Sequence, residues 1–174
     1  DYGKMGFGVL RYAKNEIVAV VDTYFAGQNL EEITGIPRQA PIVAQIEESR
    51  RLGANVLVLG ISPSGGRIPQ DWLLLIEAAV QAGMSIVNGL HDLLNERFQG
   101  LCQGKNQWIW DVRVPQSTPP IATAKAASLP SKRILFIGTD MAAGKMTAAL
   151  ELHEWAQKEK INAGFVATGQ IGIT

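Results

Sequence analysis

The chain has 174 residues, of which 47% are hydrophobic, and it carries 16 basic and 16 acidic residues. This size fits one substantial hydrophobic core or two small ones. A formal net charge of zero, with no basic block longer than two residues, argues against nucleic acid as a partner. The sequence shows neither a long apolar run nor a signal-peptide pattern, which argues against a membrane span. The single Cys102 fits a reducing compartment, so we expect a cytoplasmic location.

Glycines open the chain, and an apolar run follows them. Gly3, Gly6 and Gly8 precede Ile17–Asp22, whose continuous apolar character predicts a buried parallel strand that ends in an acid. In dinucleotide-binding folds an acid at this place binds a ribose, about 20 residues after a glycine-rich turn. The glycine order here is G-x-x-G-x-G rather than G-x-G-x-x-G, and the strand that should come before it is missing. We therefore favour a role for Asp22 in capping a local turn.

Helices that end near a glycine and lead into an apolar strand recur along the chain, which predicts a parallel α/β architecture. The predicted helices are 45–52, 70–82 and 147–160, and the strands after them begin at residues 56, 84 and 165, with another short strand at 41–44. In the second helix an apolar face is expected to pack on the core. That face consists of Trp72, Ile76, Ala79 and Val80.

In parallel sheets, ligands bind in the loops at the carboxyl ends of the strands. The loop after residue 59 combines glycines and hydroxyl side chains with a final cation, which suits an anion or carboxylate, and a plain tight turn explains it equally well. The loop after residue 87 carries His91, for which we favour a structural role at a helix N-terminus over a chemical one. The candidate substrate-binding residues are Ser62, Ser64, Gly65, Gly66, Arg67 and Asn88, together with Gln170 in a third loop.

A composition change marks a domain boundary. Trp108–Val114 alternates in polarity and predicts a half-exposed strand that closes the first sheet. Residues 116–131 contain three prolines among alanine, serine and threonine, which is typical of a linker. We therefore place one α/β domain at 1–115, a linker at 116–131 and the start of a second domain at 132–174. One strand-loop-helix-strand unit is too short for a complete domain, so we expect its remainder to lie outside this sequence.

A phosphate-binding loop is predicted after an apolar strand at 134–137. Small residues, a Gly-Lys step and a helix follow, a pattern that holds phosphate with backbone N–H groups, a helix N-terminus and one lysine. Methionine replaces the usual magnesium-binding hydroxyl residue after the lysine, and the next hydroxyl lies about 100° further round the helix. An ordinary turn with a surface lysine is the alternative. The candidate phosphate-binding residues are Gly138, Thr139, Asp140, Gly144, Lys145, Met146 and Thr147, and Thr147 is also the candidate magnesium ligand.

These motifs resemble a bacterial and archaeal family long described only as a domain of unknown function and later linked to D-glutamate N-acetylation. The resemblance implies a Rossmann-like domain followed by a P-loop domain, and it spans nearly the whole chain. More distantly, the Gly-Thr-Asp start of the lysine loop is similar to dethiobiotin synthetase, an ATP-dependent ligase with a P-loop fold. The segments that carry the family resemblance are Gly8–Tyr12, Ile17–Asp22, Ser62–Gly66, Asn88–His91, Gly138–Thr147 and Ala167–Gln170.

The resemblance implies transfer of an acetyl group from acetyl-CoA to the amine of D-glutamate or a similar acidic amino acid. In this scheme the Lys145 loop holds the CoA phosphates, which would explain Met146 at the magnesium position. Arg67 takes a substrate carboxylate, and His91 deprotonates the amine before it attacks the thioester. Two other classes stay open: an ATP- and magnesium-dependent ligase or kinase, and a non-catalytic nucleotide-binding protein. We also expect a homo-oligomer.

Overall fold

The computed structural model describes residues 3–63, 65, 67–115, 117–118, 123–140 and 143–167. The chain divides into two compact units, Asp1–Val114 and Pro115–Gly172. Within the described ranges, none of the helices combines the length and the apolar composition that a bilayer crossing requires. The helices are α1 (Lys4–Tyr12), α2 (Leu30–Thr34), α3 (Ile46–Arg51), α4 (Gln70–Gln81), α5 (Asn95–Phe98) and α6 (Lys145–Lys158), and the strands are β1 (Val20–Val21), β2 (Ile42–Val43), β3 (Val56–Val58), β4 (Ser85–Asn88) and β5 (Ile109–Asp111).

Parallel pairing organises the first unit. Strand β1 pairs with β2, and β3, β4 and β5 form a second sheet in that order. All four residues of β4 are buried, and Ile86 stands in register between Leu57 and Ile109. The predicted α/β class with parallel sheets is confirmed. Because β3, β4 and β5 run in one direction, the loops after them lie at the same edge of the sheet.

Helix α4 supplies much of the core of this unit. Its residues Ile76, Ala79 and Val80 are fully buried, and Trp72 packs against the same cluster, which confirms the predicted apolar face. The helix ends before Gly83, whose φ of +81° is a left-handed conformation that favours glycine. Cys102 also packs against this cluster, and burial raises the pKa of its thiol. The helices predicted at 45–52 and 70–82 are confirmed as α3 and α4.

The glycine-rich start of the chain is helix α1, which the sequence did not predict because glycine is a poor helix former. The helix begins against the end of β3, where the N–H of Gly6 donates to the carbonyl oxygen of Gly60 at 2.7 Å. A Cβ atom on Gly60 would lie 2.9 Å from the Cα atom of Gly6. The absence of a side chain on Gly60 is therefore what allows α1 and the segment just after β3 to touch through their backbones.

We expect Gly60→Ala to lower the free energy of unfolding by about 1–3 kcal/mol, the usual cost of overpacking. The added methyl group would collide with the backbone of α1, which cannot move as easily as a flexible side chain. Gly100→Ala is the matched control, since a Cβ atom there meets no atom within 4 Å. Urea denaturation of both variants measures the difference, and equal losses of stability would contradict the prediction.

Asp22 follows β1 and caps the next turn. Its Oδ1 accepts hydrogen bonds from the backbone N–H of Tyr24 at 2.9 Å and of Phe25 at 3.1 Å. The turn-capping interpretation is therefore confirmed. The strand predicted over Ile17–Asp22 is shorter than expected, because only Val20 and Val21 have ladder partners in β2.

The strand predicted at Trp108–Val114 is also shorter, because the chain turns directly after Asp111. The N–H of Val112 still donates to the carbonyl of Asn88 at 3.0 Å, and a turn begins there. Ile109 and Asp111 are buried while Trp110 is exposed, so the predicted half-exposed strand is confirmed over these three residues.

The second unit contains α6, which begins two residues earlier than predicted. No strand forms over the described residues 134–137 and 165–167, and this corrects the expectation from their apolar sequences. Ile134, Leu135 and Ile137 are 73%, 78% and 82% exposed. A strand needs a neighbour to satisfy its N–H and C=O groups, and the described part of this unit offers no such partner.

Candidate functional site

The carboxyl ends of β3, β4 and β5 carry the first candidate site, and Asn88 lies at its base. Asn88 is completely buried. Its Nδ2 donates to the carbonyl of Asp92 and to Oδ1 of Asp111, both at 2.7 Å, and its Oδ1 accepts from the N–H of Leu90 at 3.0 Å. With no exposed surface, Asn88 shapes the loop from inside in this structure, and its predicted contact with substrate stays a prediction.

Asp111 is the second buried polar residue of this edge. Its carboxylate accepts from Asn88, from the N–H of Leu94 at 3.0 Å and from the N–H of Asn95 at 2.9 Å. One side chain therefore ties the ends of β4 and β5 to the start of α5. One signal for this role is present in the sequence: an acid lies on the face of β5 that Ile109 shares, and a buried strand tolerates an acid only when it is fully hydrogen-bonded.

Asp92 joins two loops at the rim of the site, and the sequence did not single it out. Its Oδ2 accepts from the N–H of Ile68 at 2.7 Å, and its Oδ1 accepts from Nη1 of Arg67 at 2.9 Å. The pKa of the Asp92 carboxyl is lowered, mainly because the Ile68 N–H donates to it. Partial burial acts in the opposite direction. The hydrogen bond and charge of Arg67 and the charge of His91 lower the pKa further. The lowered pKa favours the ionised form of the Asp92 carboxyl, which is also the form of an ordinary aspartate at neutral pH.

The predicted residues around Asp92 are only partly described by the structure. His91 is exposed in the loop ahead of α5, next to the Asp92 carboxylate that its charge influences. Ser62 is half-buried, and Gly65 has a φ of +75°, a left-handed conformation that favours glycine. Ser64 and Gly66 lie outside the described residues, as does Gln170. The structure thus brings Arg67, His91 and Asp92 together at one rim.

The second candidate site is the lysine loop of the second unit. Gly144 has a φ of +84° and stands directly before α6, so that Lys145 is the first helical residue. The Lys145 side chain turns back over Gly138, where a Cβ atom would lie 3.2 Å from the Cγ and Cδ atoms of the lysine. Its Nζ donates to the carbonyl oxygen of Asp140. The ammonium group therefore lies against the loop backbone, ahead of the helix.

The N-terminus of α6 is suited to an anion. Among the described residues no side chain caps it and its first turn contains no acid, so the dipole and the Lys145 charge act together. Met146 is half-buried at the second helical position, and Thr147 is exposed at the third. Thr139 and Asp140 are exposed in the preceding loop.

Magnesium binding by Thr147 stays a prediction. In the part of the chain that the structure describes, no group of three or more histidine, cysteine, aspartate or glutamate side chains is placed to hold a metal ion. Magnesium prefers oxygen ligands, and Met146 brings a thioether to the position after the lysine.

Two family models match the chain. One describes a Rossmann-like domain of unknown function, DUF1611_N, and matches residues 24–115. The other describes the P-loop domain of the same family, DUF1611_C, and matches residues 120–174. Together they cover most of the sequence, and they support the Rossmann-like and P-loop assignments of the two parts.

Relatives and a solved structure agree with these matches. A D-glutamate N-acetyltransferase of Pseudoalteromonas sp. is 40% identical over 128 residues, and that of Tritonibacter scottomollicae is 36% identical over 130 residues. These alignments cover 72% and 74% of this chain and 38% of each relative. A crystal structure of a DUF1611 family protein from Anabaena variabilis has a TM-score of 0.92 and 46% identity, covering 99% of this chain and 50% of that one. The chain thus spans less than half the length of the curated relatives that it matches.

Proposed function

The chain belongs to the DUF1611 family, which joins a Rossmann-like domain to a P-loop domain, and from this premise we propose that the protein is an N-acetyltransferase. Its donor would be acetyl-CoA and its acceptor D-glutamate or a similar acidic amino acid. The observation that carries the proposal is the Lys145 side chain, folded over Gly138 at the N-terminus of α6. The names of the two curated relatives supply the reaction class.

The phosphates of acetyl-CoA are the proposed ligand of the lysine loop. Lys145 would donate to phosphate oxygens that replace the carbonyl of Asp140 as its acceptor. The first N–H groups of α6 would donate to the same oxygens. Binding CoA in this way needs no magnesium, so Met146 at the usual magnesium position is compatible with it.

The proposed reaction is a direct acyl transfer. The amine nitrogen of the amino acid attacks the thioester carbonyl carbon, a C–N bond forms, and the C–S bond breaks. The amino group enters as an ammonium and gives one proton to His91 before the attack. The second proton that its nitrogen loses is taken up by the departing thiolate of CoA. The products are the N-acetyl amino acid and CoA with a thiol group.

The test incubates the intact protein with acetyl-CoA carrying a labelled acetyl group and with D-glutamate, in the presence of a metal chelator. Mass spectrometry should detect labelled N-acetyl-D-glutamate without added ATP or magnesium, while omission of the amino acid should give none. If the protein instead releases phosphate from ATP only when the amino acid is present, the ligase or kinase class is correct and the acetyl-transfer proposal fails.

A further inference from the structure

We propose that Arg67 and Asp92 together bind the zwitterionic group of an amino acid, with Asp92 taking the ammonium and Arg67 the carboxylate. This inference rests on the proposed function, and it defines the acceptor as an amino acid rather than any diacid. It goes beyond the predicted role of Arg67 by giving the site a second, oppositely charged half.

Asp92 retains the capacity to accept an ammonium group. Each oxygen of an ionised carboxylate has two lone pairs, and among the described residues Oδ1 has one donor, Arg67, and Oδ2 has one donor, Ile68. The side chain is 30% exposed, so a small ligand has access to it. An incoming –NH₃⁺ group would find a carboxylate that is already fixed in position and ionised.

Arg67 offers the complementary half. Its guanidinium carries five N–H donors in a planar fork, and the bond to Asp92 uses Nη1. The side chain is 80% exposed, which leaves an accessible edge for a carboxylate. A guanidinium can hold such a carboxylate through two parallel hydrogen bonds.

The closeness of the two charges suits an α-amino acid. Nη1 of Arg67 and Oδ1 of Asp92 are 2.9 Å apart, and in an α-amino acid the ammonium and the carboxylate are attached to a single carbon. A diacid without an amino group would engage Arg67 and be repelled by Asp92. The pair would therefore select amino acids both by attraction and by repulsion of the wrong ligand.

Buried hydrogen bonds hold the Asp92 half of the site. The carbonyl of Asp92 accepts from Asn88, and Asn88 also donates to Asp111 at the end of β5. Both of these supporting side chains are buried. A binding site whose side chains are already held in place loses little conformational entropy when a ligand binds. His91 precedes Asp92 in the same loop, which would bring an imidazole near the bound amine.

The experiment compares two ligands that differ only in the amino group: D-glutamate and glutarate. Calorimetric titrations of the intact protein would use wild type, Asp92→Asn, Arg67→Gln and the control Asp71→Asn, which removes an exposed carboxylate at the start of α4. We expect Asp92→Asn to weaken D-glutamate binding by about tenfold or more, the usual effect of losing a charged hydrogen bond. Glutarate binding should stay the same or become tighter. Arg67→Gln should weaken the binding of both ligands, and Asp71→Asn should leave the binding of both unchanged.

The opposite responses of the two ligands decide the outcome. The zwitterion site would be overturned if Asp92→Asn weakened the binding of both ligands equally or of neither. It would also be overturned if the wild-type protein bound glutarate as tightly as D-glutamate. The same preparations are assayed for acetyl transfer. Selective loss of D-glutamate binding without any acetyl transfer by wild type would refute the proposed reaction and leave the binding site standing. Acetyl transfer by wild type, without a selective loss of D-glutamate binding in Asp92→Asn, would refute the zwitterion site and leave the proposed reaction standing.

Discussion

Replacing Lys145 with alanine is expected to weaken acetyl-CoA binding to the intact protein by about 10- to 100-fold. The reason is that a hydrogen bond between charged groups contributes about 1.5–3 kcal/mol, and each 1.4 kcal/mol is a factor of ten in affinity. Lys145 supplies the side-chain cation that the structure places against the loop ahead of α6. Removing it leaves only the backbone N–H groups and the helix dipole to attract phosphate.

Lys158→Ala is the matched control for this variant. Lys158 ends the same helix, is well exposed and lies 3.9 Å from Glu154, so its loss removes one positive charge far along α6 from the loop. Titration calorimetry with acetyl-CoA and, separately, with ATP would compare both variants with wild type. Unchanged CoA affinity in Lys145→Ala would contradict the CoA assignment, and loss of ATP affinity alone would identify ATP as the ligand of the loop.

Asp111→Ala is expected to destabilise the protein by about 3 kcal/mol or more. The substitution removes one of the two acceptors of the Asn88 amide and the side-chain acceptor of the N–H groups of Leu94 and Asn95, and each unsatisfied buried donor costs about 1–3 kcal/mol. Water cannot replace the lost oxygens easily, because only 6% of Asp111 is exposed. The effect on stability should therefore exceed that of Gly60→Ala.

Two further variants test whether the lost hydrogen bonds cause this loss of stability. Asp111→Asn keeps one acceptor oxygen and the size of the side chain, so its loss of stability should be smaller than that of the alanine variant. Asp71→Ala removes an exposed aspartate and should change the free energy of unfolding little. Urea denaturation measures all three. A stability of Asp111→Ala equal to that of Asp71→Ala would show that the buried hydrogen bonds do not hold this edge together.

Local patterns were sufficient to predict much of this protein. The spacing of apolar residues defined α4 and its buried face, because helical periodicity needs no information from distant residues. The position of α3 was also predicted from a local pattern that ends near a glycine. The turn at Asp22 and the helix after the Gly-Lys step were equally local. The order of helices, glycines and apolar runs was enough for the parallel α/β class, since each unit repeats the same short pattern.

Contacts between distant residues decided the rest. Helix α1 forms in a glycine-rich segment and rests on Gly60, more than 50 residues away in the sequence. Asp92 accepts a hydrogen bond from Arg67, and Asp111 accepts one from Asn88. These pairs are more than 20 residues apart in the sequence, so local periodicity does not predict their contacts. The described apolar residues 134–137 and 165–167 form no strand. Apolar composition allows a strand, but a neighbouring strand must supply its hydrogen bonds.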